Sequence, residues 1–178
     1  ELTNTTDVVT VTVTSGSGCT STFTASPVTI VPSPTGALSV SPSNTICAGD
    51  NVTFTVTPLD PTFNYNFKVN GITVQNGMGN NTFTTNTLVV GTYPVTVDIT
   101  NSNSCVTASN TISMTVNPLP TSTVVPKENY GTPDDGIICQ GGIVIFTVPT
   151  GFTNYNFLLN GVSVQNGTSN TFNNSDYS

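Results

Sequence analysis

Apolar and polar residues alternate one for one along much of this chain. Val8-Val9-Thr10-Val11-Thr12-Val13, Val52-Thr53-Phe54-Thr55-Val56, Tyr65-Asn66-Phe67-Lys68-Val69, Tyr93-Pro94-Val95-Thr96-Val97-Asp98-Ile99 and Thr111-Ile112-Ser113-Met114-Thr115-Val116 carry the pattern. A period of two lines one face of a strand with apolar side chains, and the β-branched residues that dominate here suit a pleated surface. No segment carries the 3.6-residue period of a helix. Gly, Asn, Pro and Ser clusters punctuate the runs. Asn70-Gly71 and Asn160-Gly161 fall between short apolar runs, where Asn-Gly takes the positive φ values of a two-residue type I′ turn, so each predicts a tight hairpin.

The pattern also repeats. Ile46-Cys47-Ala48-Gly49-Asp50-Asn51-Val52-Thr53-Phe54-Thr55-Val56 returns as Ile138-Cys139-Gln140-Gly141-Gly142-Ile143-Val144-Ile145-Phe146-Thr147-Val148. Asn64-Tyr65-Asn66-Phe67, Asn70-Gly71 and Val74-Gln75-Asn76-Gly77 return as Asn154-Tyr155-Asn156-Phe157, Asn160-Gly161 and Val164-Gln165-Asn166-Gly167. The opening stretch, Val11-Thr12-Val13 to Cys19 to Val31-Pro32-Ser33-Pro34, matches Val95-Thr96-Val97 to Cys105 to Asn117-Pro118-Leu119-Pro120. Repetition of this kind marks an array of like modules. Residues 1–34 read as the C-terminal part of one module, 35–120 as a complete module and 121–178 as the N-terminal part of the next. Joining Ser178 to Glu1 would complete the interrupted module in register, so the 178 residues read as one two-module period of a longer tandem chain.

Strands spaced every 8–12 residues in modules of this length predict an all-β fold, with tandem immunoglobulin-like β-sandwich modules forming an extended array. In the complete module the expected strands are 37–46, 51–57, 64–69, 72–75, 82–89, 93–100 and 106–116. Val52, Phe54, Val56, Phe67, Val95 and Val97 should face one core. Gly91-Thr92-Tyr93 resembles a tyrosine corner, which the other module, with Thr5-Thr6-Asp7, does not share. The Pro-rich pieces at 31–34 and 117–120 read as short, semi-rigid linkers.

Composition narrows the function. The chain has 2 Lys and Arg against 9 Asp and Glu, no His and a net charge of -7. Lys68 and Lys127 are its cations, so nothing is present to neutralise a nucleic-acid backbone or to draw the chain to anionic lipid. No apolar run approaches the length of a membrane span, so no membrane insertion is expected. Catalysis has no visible machinery: no His base, no Gly-x-Ser-x-Gly elbow, no phosphate-cradling loop, and acids scattered over turns. We therefore expect no enzyme and no cofactor. Asp50 and Asp134-Asp135-Gly136 lack the alternating carboxylates of a calcium loop and read as polar turns. Lys68 invites comparison with Lys–Asn isopeptide crosslinks, but its counterpart is Leu158, so it reads as a solvated strand lysine. Tyr65, Phe67, Tyr155 and Phe157 could stack on a sugar, although alternate positions on a sandwich strand favour the core.

Several motifs together resemble a known group. Ile46-Cys47-Ala48-Gly49-Asp50-Asn51-Val52-Thr53-Phe54 comes early in the module, Gly91-Thr92-Tyr93 and Asn101-Ser102-Asn103-Ser104-Cys105 come late, and Asn117-Pro118-Leu119-Pro120 ends it. This resembles the tandem immunoglobulin-like or PKD-like repeats of giant Bacteroidetes cell-surface adhesins, including the gliding-motility adhesins exported by the type IX system. The resemblance implies an extracellular, cell-surface location and a role in adhesion or motility. The Trp-x-Phe-Gly-Asp-Gly segment of true PKD modules is missing here.

The chain has 4 cysteines, Cys19, Cys47, Cys105 and Cys139, two to a module. Without His or Cys-x-x-Cys they suit disulfides in an oxidising compartment better than a metal. An intradomain Cys47–Cys105 bridge would echo the immunoglobulin disulfide, but Cys47 precedes the second strand and Cys105 follows the sixth. Those points lie at opposite poles of a sandwich, over ~20 Å apart, whereas bridged Cα atoms lie within ~7 Å. Head-to-tail stacking instead brings Cys47 to Cys19 of the next period and Cys139 to Cys105 of the next. The leading functional reading is a stalk in an extracellular filamentous adhesin, its partners further copies of the repeat and a surface or carbohydrate ligand. The alternative is a carbohydrate-binding or spacer module of a secreted multidomain enzyme. A third arrangement is a non-covalent polymer in which residues 1–34 complete a neighbour's sandwich.

Overall fold

The computed structural model describes residues 7–26, 28–129 and 135–173, and among them every regular element is a strand. The chain divides into two compact units, one running to Leu119 and the other starting at Pro120.

The first unit opens with a hairpin. Strand β1 (Thr10–Thr14) pairs antiparallel with β2 (Thr20–Thr24), Val11 opposite Phe23 and Val13 opposite Ser21. The sandwich follows: β3 (Ala37–Ser41), β4 (Thr45–Cys47), β5 (Val52–Thr57), β6 (Asn64–Val69), β7 (Ile72–Met78), β8 (Thr82–Thr85), β9 (Gly91–Thr100), β10 (Val106–Ala108) and β11 (Ile112–Asn117). One sheet has the order β3-β5-β8; the facing sheet runs β4-β11-β9-β6-β7, with β10 also on β9. This is an immunoglobulin-like β-sandwich, and the six residues expected in its core are buried: Val52 is 1% exposed and Phe54, Val56, Phe67, Val95 and Val97 are sealed. Phe83 bridges the two sheets, its ring centroid 6.2 Å from Phe54 and 5.9 Å from Phe67.

Two strands run longer than expected, β7 to Met78 and β9 from Gly91, and three expected strands are broken or cut short. The run at 37–46 splits, because β3 pairs with β5 while β4 crosses to the other sheet and pairs parallel with β11. Pro42, which has no amide hydrogen to donate, falls in the gap. The run at 106–116 is also broken: the Ser109 amide donates to Val97 O, its hydroxyl accepts from the Val97 amide, and Asn110 turns aside. The Asn110 side chain then ties two strands that lie far apart in sequence, accepting from the Leu38 amide at 2.7 Å and donating to Leu38 O at 3.0 Å. The strand expected over 82–89 stops at Thr85, where Thr87 turns back on the Thr85 hydroxyl. The tyrosine corner is present: Tyr93 Oη donates to Val89 O at 2.7 Å.

The second unit comprises β12 (Val125–Glu128), β13 (Val144–Thr147), β14 (Tyr155–Leu159), β15 (Val162–Gly167) and β16 (Thr171–Asn173). It reproduces the first part of the sandwich. The sheet β12-β13-β16 corresponds to β3-β5-β8, and β14-β15 to β6-β7. Phe146, Phe157 and Phe172 rebuild the aromatic cluster, with Phe172 at 6.2 and 5.7 Å from the other two. Even the irregularities recur: a register shift sits between Phe67 and Lys68 and again between Phe157 and Leu158. Both Asn-Gly turns have positive φ at both residues (51 and 76°, 52 and 83°), as the hairpin reading requires.

Candidate functional site

The chemistry-bearing residues do not converge. Among the described residues no three Cys, Asp or Glu side chains are grouped to hold a metal. Asp50 closes its turn by accepting the Cys47 amide at 3.0 Å, and Asp135 accepts the Ile137 amide at 2.9 Å; Asp134 lies outside the described residues. Asp60 caps its loop, accepting from the hydroxyl and amide of Thr62, and these bonds hold its carboxyl below its ordinary value. Lys68 differs from expectation: it is half-buried and ion-paired with Asp98 on the neighbouring strand β9. No helix of the described residues is long and apolar enough to cross a membrane.

Tyr65 and Phe67 are sealed in the core, so neither offers a face to a sugar. The phenol of Tyr65 has a tie that the alternating pattern did not disclose. It accepts the Asp60 amide at 2.9 Å and donates to Asp60 O at 3.2 Å. Tyr155 repeats this with the Phe152 amide and Pro149 O, each at 3.2 Å. The signal available in sequence was the return of Tyr with its Asn neighbours at the same place in both modules.

The four thiols are unbonded in the single chain and occupy two kinds of turn. In one, Ser15 and Asn101 are equivalent. The Ser15 amide donates to Cys19 O and the Gly18 amide to Ser15 O; the Asn101 amide donates to Cys105 O and the Ser104 amide to Asn101 O. In the other, the amides of Asp50 and Gly142 donate to Cys47 O and Cys139 O. The sandwich separates the two kinds. Cys47 lies level with Asn117, just past Gly91, while Cys105 lies beyond Thr100, where β9 pairs with β10. The 10 residues of β9 span about 33 Å between them at ~3.3 Å per residue, far beyond disulfide reach. Cys105 marks the N-terminal pole, where Asn101 Nδ2 donates to Pro32 O, and Cys47 marks the C-terminal pole, where Asn117 leaves the sandwich.

Matching the two Cys19-type turns also fixes the module alignment. Ser15 over Asn101 places Val9, Val11 and Val13 over Val95, Val97 and Ile99, two residues from the match suggested by Val-Thr-Val alone. Val95, Val97 and Ile99 are sealed, whereas Val9, Val11 and Val13 are 50, 54 and 48% exposed. In the second unit an open groove of about 750 Å³ runs past Val124, Val148, Phe152, Tyr155, Phe157 and Leu158.

No protein-family model matches the chain, and no curated protein matches it. Solved structures with similar folds include murine CEACAM1b, at 20% identity and a TM-score of 0.43 over 63% of this chain and 59% of that one. Another is the set of fibronectin(III)-like modules of Clostridium thermocellum CbhA, at 12% identity and a TM-score of 0.40, covering 76% of this chain and 77% of that one. The chain thus spans about three fifths (59%) of the length of the CEACAM1b structure.

Proposed function

We propose that this chain is a structural repeat of an extracellular, cell-surface filament of the adhesin type, a stalk that displays an adhesive tip for attachment or gliding. One observation carries the reading: the sequence repeats a sandwich module whose complete copy takes the chain in at one pole and passes it out at the other. Modules of that kind extend in a line as copies are added, and their contribution is length rather than chemistry. Bridges from Cys47 to Cys19 of the next period, and from Cys139 to Cys105 of the next, would staple successive modules and stiffen the line. Each of these pairs joins a C-terminal pole to an N-terminal one. On this reading the chain is not an enzyme, requires no cofactor and meets chiefly further copies of itself.

Antibodies against residues 37–117, applied with gold to intact producing cells, test the proposal. Labelling at regular intervals along surface filaments is the expected result. Labelling only after the cells are opened would contradict it. Mass spectrometry of non-reduced peptides from those filaments should find Cys47 joined to Cys19 and Cys139 to Cys105.

A further inference from the structure

Asn-Gly occurs four times in the chain, and the fold puts the pairs in two settings. Asn70-Gly71 and Asn160-Gly161 are the exposed tips of the β6–β7 and β14–β15 hairpins. Asn76-Gly77 and Asn166-Gly167 lie within β7 and β15. The setting matters because an asparagine side chain can be attacked by the backbone nitrogen of the residue that follows it. Glycine in that place opposes the approach least, having no Cβ to crowd the ring that forms.

At the tips the reacting groups are unengaged. Val69 pairs with Ile72 and Leu159 with Val162, and the amides of Gly71 and Gly161 between them donate no hydrogen bond among the described residues. The side chains of Asn70 and Asn160 are held by no other group there, and nothing stands within 4 Å of the place a Cβ would take on either glycine. In the strands both groups are tied. Asn76 Oδ1 accepts from Asn64 Nδ2 at 2.6 Å, and Asn166 Oδ1 from Asn154 Nδ2 at 2.8 Å. Gly77 and Gly167 sit in the ladder opposite Tyr65 and Tyr155. A hairpin tip opens locally at little cost, whereas freeing a strand breaks the ladder along its length.

We propose that Asn70 and Asn160 are sites of spontaneous deamidation, and that the sheet keeps Asn76 and Asn166 intact. In the first step the Gly71 nitrogen bonds to Asn70 Cγ, and the side-chain nitrogen leaves as ammonia with the proton that the glycine nitrogen gives up. The product is a cyclic succinimide. Water then opens the ring. Cleavage at the γ-carbonyl leaves aspartate, and cleavage at the α-carbonyl leaves isoaspartate, with the main chain routed through the former side chain. No electrons are exchanged, and water is the sole co-reactant. Asn160 and Gly161 react in the same way. Each conversion adds a carboxylate to a hairpin tip. Isoaspartate also lengthens the turn by one backbone atom, which removes the two-residue closure behind the Val69–Ile72 pairing.

Peptide mapping of the folded 178-residue chain, aged in mildly alkaline heavy-oxygen water, tests it, because each ring opening leaves a heavy oxygen in the new carboxylate. Label and isoaspartate should accumulate together at Asn70 and Asn160, roughly tenfold or more ahead of Asn76 and Asn166. With the chain unfolded in urea the four sites should converge, since no sheet then holds two of them. Equal labelling of the four sites in the folded chain would overturn the proposal. So would Asn70 and Asn160 staying unlabelled in the folded chain while converting in urea. A contrast that persisted undiminished in urea would assign it to the flanking residues and overturn the part given to the sheet.

Discussion

Phe67 and Phe157 occupy the same place in the same Asn-Tyr-Asn-Phe sequence, against equivalent phenylalanines, yet one is sealed and the other half-buried. The local structure around them is the same: the same hairpin, the same register shift, the same phenol tied to its preceding loop. What differs is the strand alongside. Phe67 has β9 next to it, whereas β14, which carries Phe157, pairs only with β15 among the described residues. Local geometry in this fold is set by short segments that carry their own turn and pairing instructions, whereas burial is set by strands that arrive from far along the chain. Features of the first kind should respond to mutation equally in both units, and features of the second kind should not.

The largest expected contrast is in the core. Phe54→Ala should cost the sandwich about 3–5 kcal/mol, the usual price of emptying a sealed aromatic site. Phe157→Ala in the same chain at low concentration should cost only about 1–2 kcal/mol, because the ring is partly hydrated already. Urea denaturation read by amide exchange on β5 and on β14 separates the two, and equal losses would break the contrast. The Asn-Gly turns test the opposite limb. Gly71→Val and Gly161→Val force a β-branched residue to φ values of 76 and 83°, and each should cost about 1–2 kcal/mol in its own unit. A large difference between the two would mean that the turns depend on their surroundings.

A smaller effect is expected from the phenol ties. Tyr65→Phe leaves the ring in place and removes both bonds to Asp60, a loss of about 1 kcal/mol, with Tyr155→Phe close behind. Smallest is the acid response of the Asp60 loop, which the 149–153 loop of the second unit, having no carboxylate, does not share. The Thr62 hydroxyl, and next its amide, hold the Asp60 carboxyl below its ordinary value of 3.8. A carboxylate lowered in the folded state stabilises above that ordinary value, and the contribution fades as pH falls through the lowered one. Thr62→Val should move the Asp60 titration upward, towards 3.8, in a carbon-detected NMR experiment, and reduce the acid sensitivity of that loop alone.

Much of this was legible in the residues. The period of two located β5, β6 and β9 and their inward side chains, because alternation on a half-buried strand is a direct record of which face is wet. Asn-Gly gave the hairpins through backbone sterics. The crossing of β4 to the far sheet and its parallel pairing with β11 left no trace, since alternation tells which face is buried and is silent about which neighbour lies alongside. The Asn110 tie to Leu38 was hidden for the same reason: its partner is 72 residues away. The alignment of the hairpin with β9 was misled by Val-Thr-Val, a triplet too common here to fix register. The turn geometry around Cys19 and Cys105 fixed it.

The central claim is that burial in this fold is set by the strand alongside. Hydrogen exchange addresses it most directly. The account predicts that amides of β6, flanked by β7 and β9, exchange at least roughly tenfold more slowly than those of β14, which pairs with β15. Equal protection of the two strands would contradict it.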